Sequence, residues 1–116
     1  MPADHAIKIA PAGGRVRVVW NGRAIASSDA ALELREHTYP PVLYIPRADA
    51  DMAFFERTAH STHCPYKGDA NYFSLQDGRA RDDNAVWAYE TPLPEAATLK
   101  EHLAFYPNKV EIIREE

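Results

Sequence analysis

Histidine, cysteine and lysine crowd into one short run. His60, His63 and Cys64 are followed by Pro65, Tyr66, Lys67 and Gly68. Zinc is the first chemistry to weigh. A structural zinc site takes four ligands, commonly from paired CxxC units, and this chain has a single Cys. In an extended strand His63 and Cys64 point to opposite faces. His37 and His102 are remote in sequence, so no metal site is expected and no cofactor is implied. Cys64 as a catalytic nucleophile or redox centre is the second chemistry. A thiol needs a base or a cation to ionise, and His60, His63 and Lys67 are the nearby candidates. The competing reading is a cysteine packed as a small hydrophobe.

Lys67 and Gly68 could bring a cation and an open backbone amide to one anionic group. The chain has no GxxxxGK[ST] run, so this is not a P-loop. Carboxylates come in two close pairs, Asp49 with Asp51 and Asp82 with Asp83. Holding magnesium against phosphates is the chemistry such pairs perform. Here Asp49 reads better as a helix cap and Asp82-Asp83 as a solvated turn. Aromatic residues form the last set: Tyr39, Tyr44, Tyr66, Tyr72, Trp87 and Tyr89. Tyr and Trp join an apolar body to a polar tip and suit the walls of ligand pockets.

These residues must be positioned by short elements, because nine prolines and five glycines punctuate the chain. Val16 and Val18 alternate with Arg15 and Arg17, the period of a half-buried strand over 15–20. Asn21-Gly22 marks a type I′ hairpin turn, with a returning strand over 23–27 that puts Ala24 and Ala26 on one face and Ile25 on the other. The run 28–36 has helix formers and an N-cap candidate in Ser28, but Leu32 and Leu34 share a strand face and not a helix face, which favours a strand after a turn at Ser28-Asp29. Pro40 and Pro41 halt any helix, and 42–45 is a strand. Met52 and Phe55 have helical spacing, which predicts a short helix over 49–57 capped by Asp49. Strands are expected over 71–75, 85–90 and 110–114, with a turn at Asp77-Gly78 and a short helix over 95–103. The sum is a mainly β, antiparallel domain with one or two short helices.

Bulk composition sets outer limits. The 116 residues suit one domain spanning 1–116, enough to bury roughly two-thirds of the unfolded surface. Lys plus Arg total 13 against 17 Asp plus Glu, a net charge of −4. That balance argues against a nucleic-acid partner, which needs a basic footprint. With one Cys no intrachain disulfide can form, which fits a reducing compartment. The opening MPADHAIKIAPAGG has no basic stretch leading into an apolar run, and no stretch approaches the ~20 apolar residues of a membrane span. The expectation is a cytoplasmic chain without a membrane partner. Oligomeric state is not readable from the sequence.

The runs RVRVVWNGRAIASS, YPPVLYIPRAD, HCPYKGDANYFSL, AVWAYETPLPEA and AFYP, with Glu36 between the first two, resemble the DUF427 family. They occur in the family's order over nearly the whole chain, and CPYKG followed by a strand bearing Tyr72 is the most specific piece. The resemblance implies a β-tent, two antiparallel sheets leaning together as in Mss4-like proteins and methionine sulfoxide reductase B. The family is also described as a presumed nucleotidyltransferase group. The four-cysteine zinc site of many β-tent relatives does not transfer to a chain with one Cys. Among the matching positions, Glu36, Tyr44, Arg47, Cys64, Tyr66, Lys67, Tyr72 and Trp87 are polar, reactive or aromatic and are not explained as turns. The resulting expectation is a small polar or anionic ligand in a cleft between the sheets. Tyr44, Tyr66, Tyr72 and Trp87 would form its walls, Lys67 and Arg47 would neutralise the ligand, and Glu36 would orient a donor. The alternatives are an enzyme built on Cys64 and a nucleotidyltransferase.

Overall fold

The structure is a computed structural model, and it describes residues 7–115. The first six residues, on which the expectation of no leader partly rests, lie outside that range. The described residues form ten strands: β1 (Ile7–Pro11), β2 (Arg15–Trp20), β3 (Arg23–Ser28), β4 (Leu32–Glu36), β5 (Val42–Pro46), β6 (Phe55–Cys64), β7 (Gly68–Gln76), β8 (Arg81–Ala88), β9 (His102–Phe105) and β10 (Glu111–Glu115). Seven build one antiparallel sheet in the order β1-β4-β5-β9-β8-β7-β6, and three build a second in the order β10-β2-β3. The mainly β, two-sheet expectation holds.

Local chemistry explains the hairpins. Asn21 and Gly22 both take positive φ, 51° and 78°, as a type I′ turn requires. At the β7–β8 turn, Asp77 accepts the backbone N–H of Arg79 and Ala80 through one oxygen, an Asx-type closure. The β2–β3 ladder carries a bulge between Val18 and Val19. The extra residue puts Ile25 and Ala26 both inside, so the simple alternation expected for β3 is broken.

The two expected helices are corrected. In place of a helix over 49–57 there are two single 3-10 turns, Arg47–Asp49 and Met52–Phe54, and then strand β6 begins at Phe55. Asp49 caps nothing: it accepts the buried hydroxyl of Ser28 at 2.6 Å. The cap is Asp51, which accepts the N–H of Ala53. The expected helix over 95–103 shrinks to 3-10 turns at Pro94–Leu99, and β9 follows. Pairing with β5 and β8 supplies β9 with cross-strand partners, which outweigh weak helical spacing.

Each face of the large sheet has its own core. Facing the small sheet, Val16, Val18, Trp20 and Ile25 pack against Ile45, Phe55, Phe73, Leu75, Val86, Leu103 and Phe105. The opposite face packs Leu34, Tyr44, Tyr72, Tyr89, Leu99 and Ala104 beneath the 94–99 turns. Among the described residues, no helix is long and apolar enough to cross a membrane.

Candidate functional site

The opening run forms the β6–β7 hairpin. Cys64 pairs with Gly68 across the turn, and the N–H of Lys67 returns to the carbonyl of Cys64. Gly68 has φ +114°, and a Cβ there would lie 3.3 Å from the carbonyl oxygen of Thr91. Both facts require glycine. The N–H of Leu93 bonds the Lys67 carbonyl, so the segment after β8 crosses close over the turn.

The turn directs Lys67 inward. Its ammonium donates to Glu36 at 2.7 Å, with the two side chains only 11% and 14% exposed. A desolvated pair of this kind holds each charge by the other. Beside it lies Tyr44, 1% exposed. Burial first, then the charge of Glu36, pushes its phenol well above the ordinary range, although the Trp87 hydrogen bond works the other way. The indole Nε1 of Trp87 donates to the Tyr44 oxygen at 3.3 Å, and the two rings meet edge to face. Tyr89 is shifted upward in the same way, by burial first.

From Trp87 the aromatic row continues outward. The Trp87 and Tyr106 rings are 4.6 Å apart. Tyr106 is pushed up to about 12, by burial and then by its hydrogen bond to Tyr72. Tyr72 carries the His60 ring at 4.4 Å, and its hydroxyl lies 3.0 Å from Thr62 Oγ1. Cys64 packs half-buried against this cluster. Tyr66 is half-buried at the turn.

Glu36, Tyr44, Cys64, Lys67, Tyr72 and Trp87 therefore do come together. Two expectations are corrected. They gather on the outer face of the large sheet, and not between the two sheets. The cause is strand alternation: Tyr44, Tyr72 and Trp87 neighbour Ile45, Phe73 and Val86, which take the inter-sheet face. Arg47 is not among them. It lies over Phe73, a residue of the inter-sheet core, and donates to Glu90.

The proposed base for Cys64 is engaged elsewhere. His63 Nδ1 is 2.7 Å from Asp69, and His60 stacks on Tyr72. The carboxylate pairs are likewise divided. Asp49 is bound by Ser28, Asp82 by the Trp20 indole, and Asp83 by Arg81. Among the described residues no three His, Cys, Asp or Glu side chains group to hold a metal ion.

Beside Trp87 the large sheet parts. Strands β5 and β9 pair only at Ile45–Leu103 and Pro46–His102. Beyond that, β5 stays with β4, and β9 stays with β8. In the resulting gap lies a cleft of about 340 Å³ lined by Tyr39, Pro40, Pro41, Val42, Leu43, Trp87, Phe105, Pro107 and Ile112. Of the expected site residues only Trp87 lines it. Sequence reading gave no role to Leu43, Phe105, Pro107 or Ile112. Leu43, Phe105 and Pro107 fall in the YPPVLYIP and AFYP runs, and Ile112 in the strand expected over 110–114.

Comparison with known proteins adds one match. Residues 8–116 match the family labelled NTP_transf_9, a domain of unknown function (DUF427). No curated protein matches the chain.

Proposed function

The chain belongs to the DUF427 family, and from that premise we propose that it is a binding module for a small molecule with a flat apolar face. The cleft beside Trp87 is the proposed site. One observation carries this reading: an apolar opening of about 340 Å³, within the roughly 300–1,000 Å³ of small-ligand sites, has an aromatic wall locked from behind. The Trp87 indole is held by the Tyr44 hydroxyl, and Tyr44 is itself buried beside the Glu36–Lys67 pair. A wall so braced presents a ring at low entropic cost on binding. Lys67 and Arg47 are each already paired with a carboxylate. In this reading the cleft therefore selects an apolar surface, and charge has a secondary part.

The test is an NMR screen of flat aromatic and heteroaromatic compounds, with a thermal melt of each hit. Binding should move the Trp87 indole resonance and raise the melting midpoint; a ligand at 100 times its Kd adds about 2.7 kcal/mol. Trp87→Leu should abolish the response. Tyr39→Ala, at a 60% exposed position, should weaken it. A screen without hits, or hits indifferent to both substitutions, would remove the proposal.

A further inference from the structure

A second cleft lies away from Trp87, and it has the opposite chemistry. It measures about 490 Å³ and runs along the β6–β7 ladder, where Arg57, Ser61, Asn71, Asp69, Glu90 and Thr91 line it. The ladder itself makes the space. Arg57 pairs with Phe73 and Ser61 with Asn71, so three residues of β6 stand where β7 has one. This bulge of two extra residues pushes β6 outward between Arg57 and Ser61.

Three features give the cleft a polarity. Arg57 grips Glu90 with two N–H groups, at 2.8 and 2.9 Å. Arg47 donates to the same carboxylate, so two guanidiniums share one negative charge and this end keeps a net positive charge. Second, Nδ2 of Asn71 is buried and has no hydrogen-bond partner among the described residues. Buried polar groups are nearly always paired, so an unpaired amide on a cleft wall marks a place for an acceptor. Third, the far end is acidic. Asp69 stands two residues from Asn71 on β7, roughly 7 Å along the strand; it is 77% exposed, and one of its oxygens lies 2.7 Å from Nδ1 of His63, which also lines the cleft and leaves the other oxygen open.

We infer that this cleft binds a small zwitterion of amino-acid type, with its carboxylate at Asn71 and Arg57 and its ammonium toward Asp69. Planar carboxylates suit a guanidinium edge and an amide donor. Glu90 and Asp69 on the same wall work against a dianion such as phosphate, since like charges at close range repel. The hydroxyls of Ser61 and Thr91 supply further donors. This site shares no lining residue with the Trp87 cleft, so it stands or falls separately.

The experiment is a 15N-correlation titration of the full chain with three probes: β-alanine, propionate and inorganic phosphate. β-Alanine and propionate differ only by the ammonium group. The reporter is the side-chain carboxamide signal of Asn71. The expected result is a saturable shift with β-alanine, a response to propionate at least several-fold weaker, and none specific to phosphate. Asn71→Ala should lose the saturable response at neighbouring backbone amides, and its melting midpoint should stay level or rise, because an unpaired buried donor is removed. Arg57→Gln, at an exposed position, should weaken β-alanine binding with the Asn71 signal still present to report it. A flat β-alanine titration overturns the proposal. So does an equal response to propionate, tighter binding of phosphate, or unchanged β-alanine binding in Asn71→Ala.

Discussion

The two faces of the large sheet use different aromatic residues. The inter-sheet core contains Trp20, Phe55, Phe73 and Phe105 and no tyrosine. The outer cluster contains Tyr44, Tyr72 and Tyr89, with Trp87 against them, and no phenylalanine. The difference follows from what each face must accommodate. The inter-sheet cluster is built of buried apolar residues, so apolar rings packed edge to face are the stable choice. Phe55 meets both Phe73 and Phe105 in that way. On the outer face a buried Glu36–Lys67 pair, the Trp87 N–H and the Thr62 hydroxyl need partners, and phenol oxygens can provide them. One face is specialised for cohesion. The other tolerates polar groups, and the cleft at Trp87 is walled by residues from both faces.

That contrast can be broken by substitution. The largest effect is expected in the inter-sheet core. Leu75→Ala, at a fully buried position, should cost about 2–5 kcal/mol in chemical denaturation. A cost near zero would mean that the two faces are not distinct in cohesion. On the outer face, Lys67→Met leaves Glu36 without its cation and should cost about 3 kcal/mol. Combining it with Glu36→Leu should recover most of that loss, since an apolar pair of similar volume replaces both charges. If the double variant is worse than the single one, the pair is more than a compensated charge.

A smaller effect is expected at Tyr44→Phe. It keeps the ring but leaves the Trp87 N–H without its acceptor, at about 1–2 kcal/mol, and should shift the Trp87 indole resonance. The corresponding loss of a methyl group between the sheets, Ile45→Val, is expected at about 1 kcal/mol with no movement of that resonance.

The smallest effect is one of pH. The Tyr106 phenol stands at about 12 in the folded chain against 10.0 ordinarily. The unfolded chain then releases this proton first as pH rises. The stability from Tyr106 is whole below pH 10 and is lost as pH climbs through about 12. A phenolate absorbance titration should show tyrosines ionising late, and Tyr72→Phe should bring Tyr106 down, because its hydrogen-bond partner is gone. An unchanged titration in that variant would separate Tyr106 from the outer cluster.

Much of the strand set was legible locally. Val16 and Val18 alternate with arginines and are buried as the pattern requires. Asn21, Gly22 and Gly78 take the positive φ their turns need, and Asp77 closes the second turn through its side chain. Leu32 and Leu34 chose strand over helix correctly. The misses have a common source. Met52 with Phe55 has the spacing of a helix face, yet Phe55 opens β6, and the 95–103 stretch gives up its C-terminal end to β9. In both places cross-strand partners far away in sequence outweighed weak local preference.

For the site, the family resemblance together with residue type identified Glu36, Tyr44, Lys67, Tyr72 and Trp87 as a set worth placing, and the CPYKG run identified the turn that carries Lys67. Sequence placed them between the sheets and added Arg47, and both assignments needed correction. The amino-acid order determined the strands, the hairpin turns and which residues carry polar tips, because those depend on neighbours within a few positions. The tertiary structure decided which face each strand turns to which core, that Lys67 meets Glu36, that Trp87 meets Tyr44, and that β5 parts from β9 to leave a cleft. Those contacts join residues 31 and 43 positions apart, and such distances leave no local period for the sequence to show.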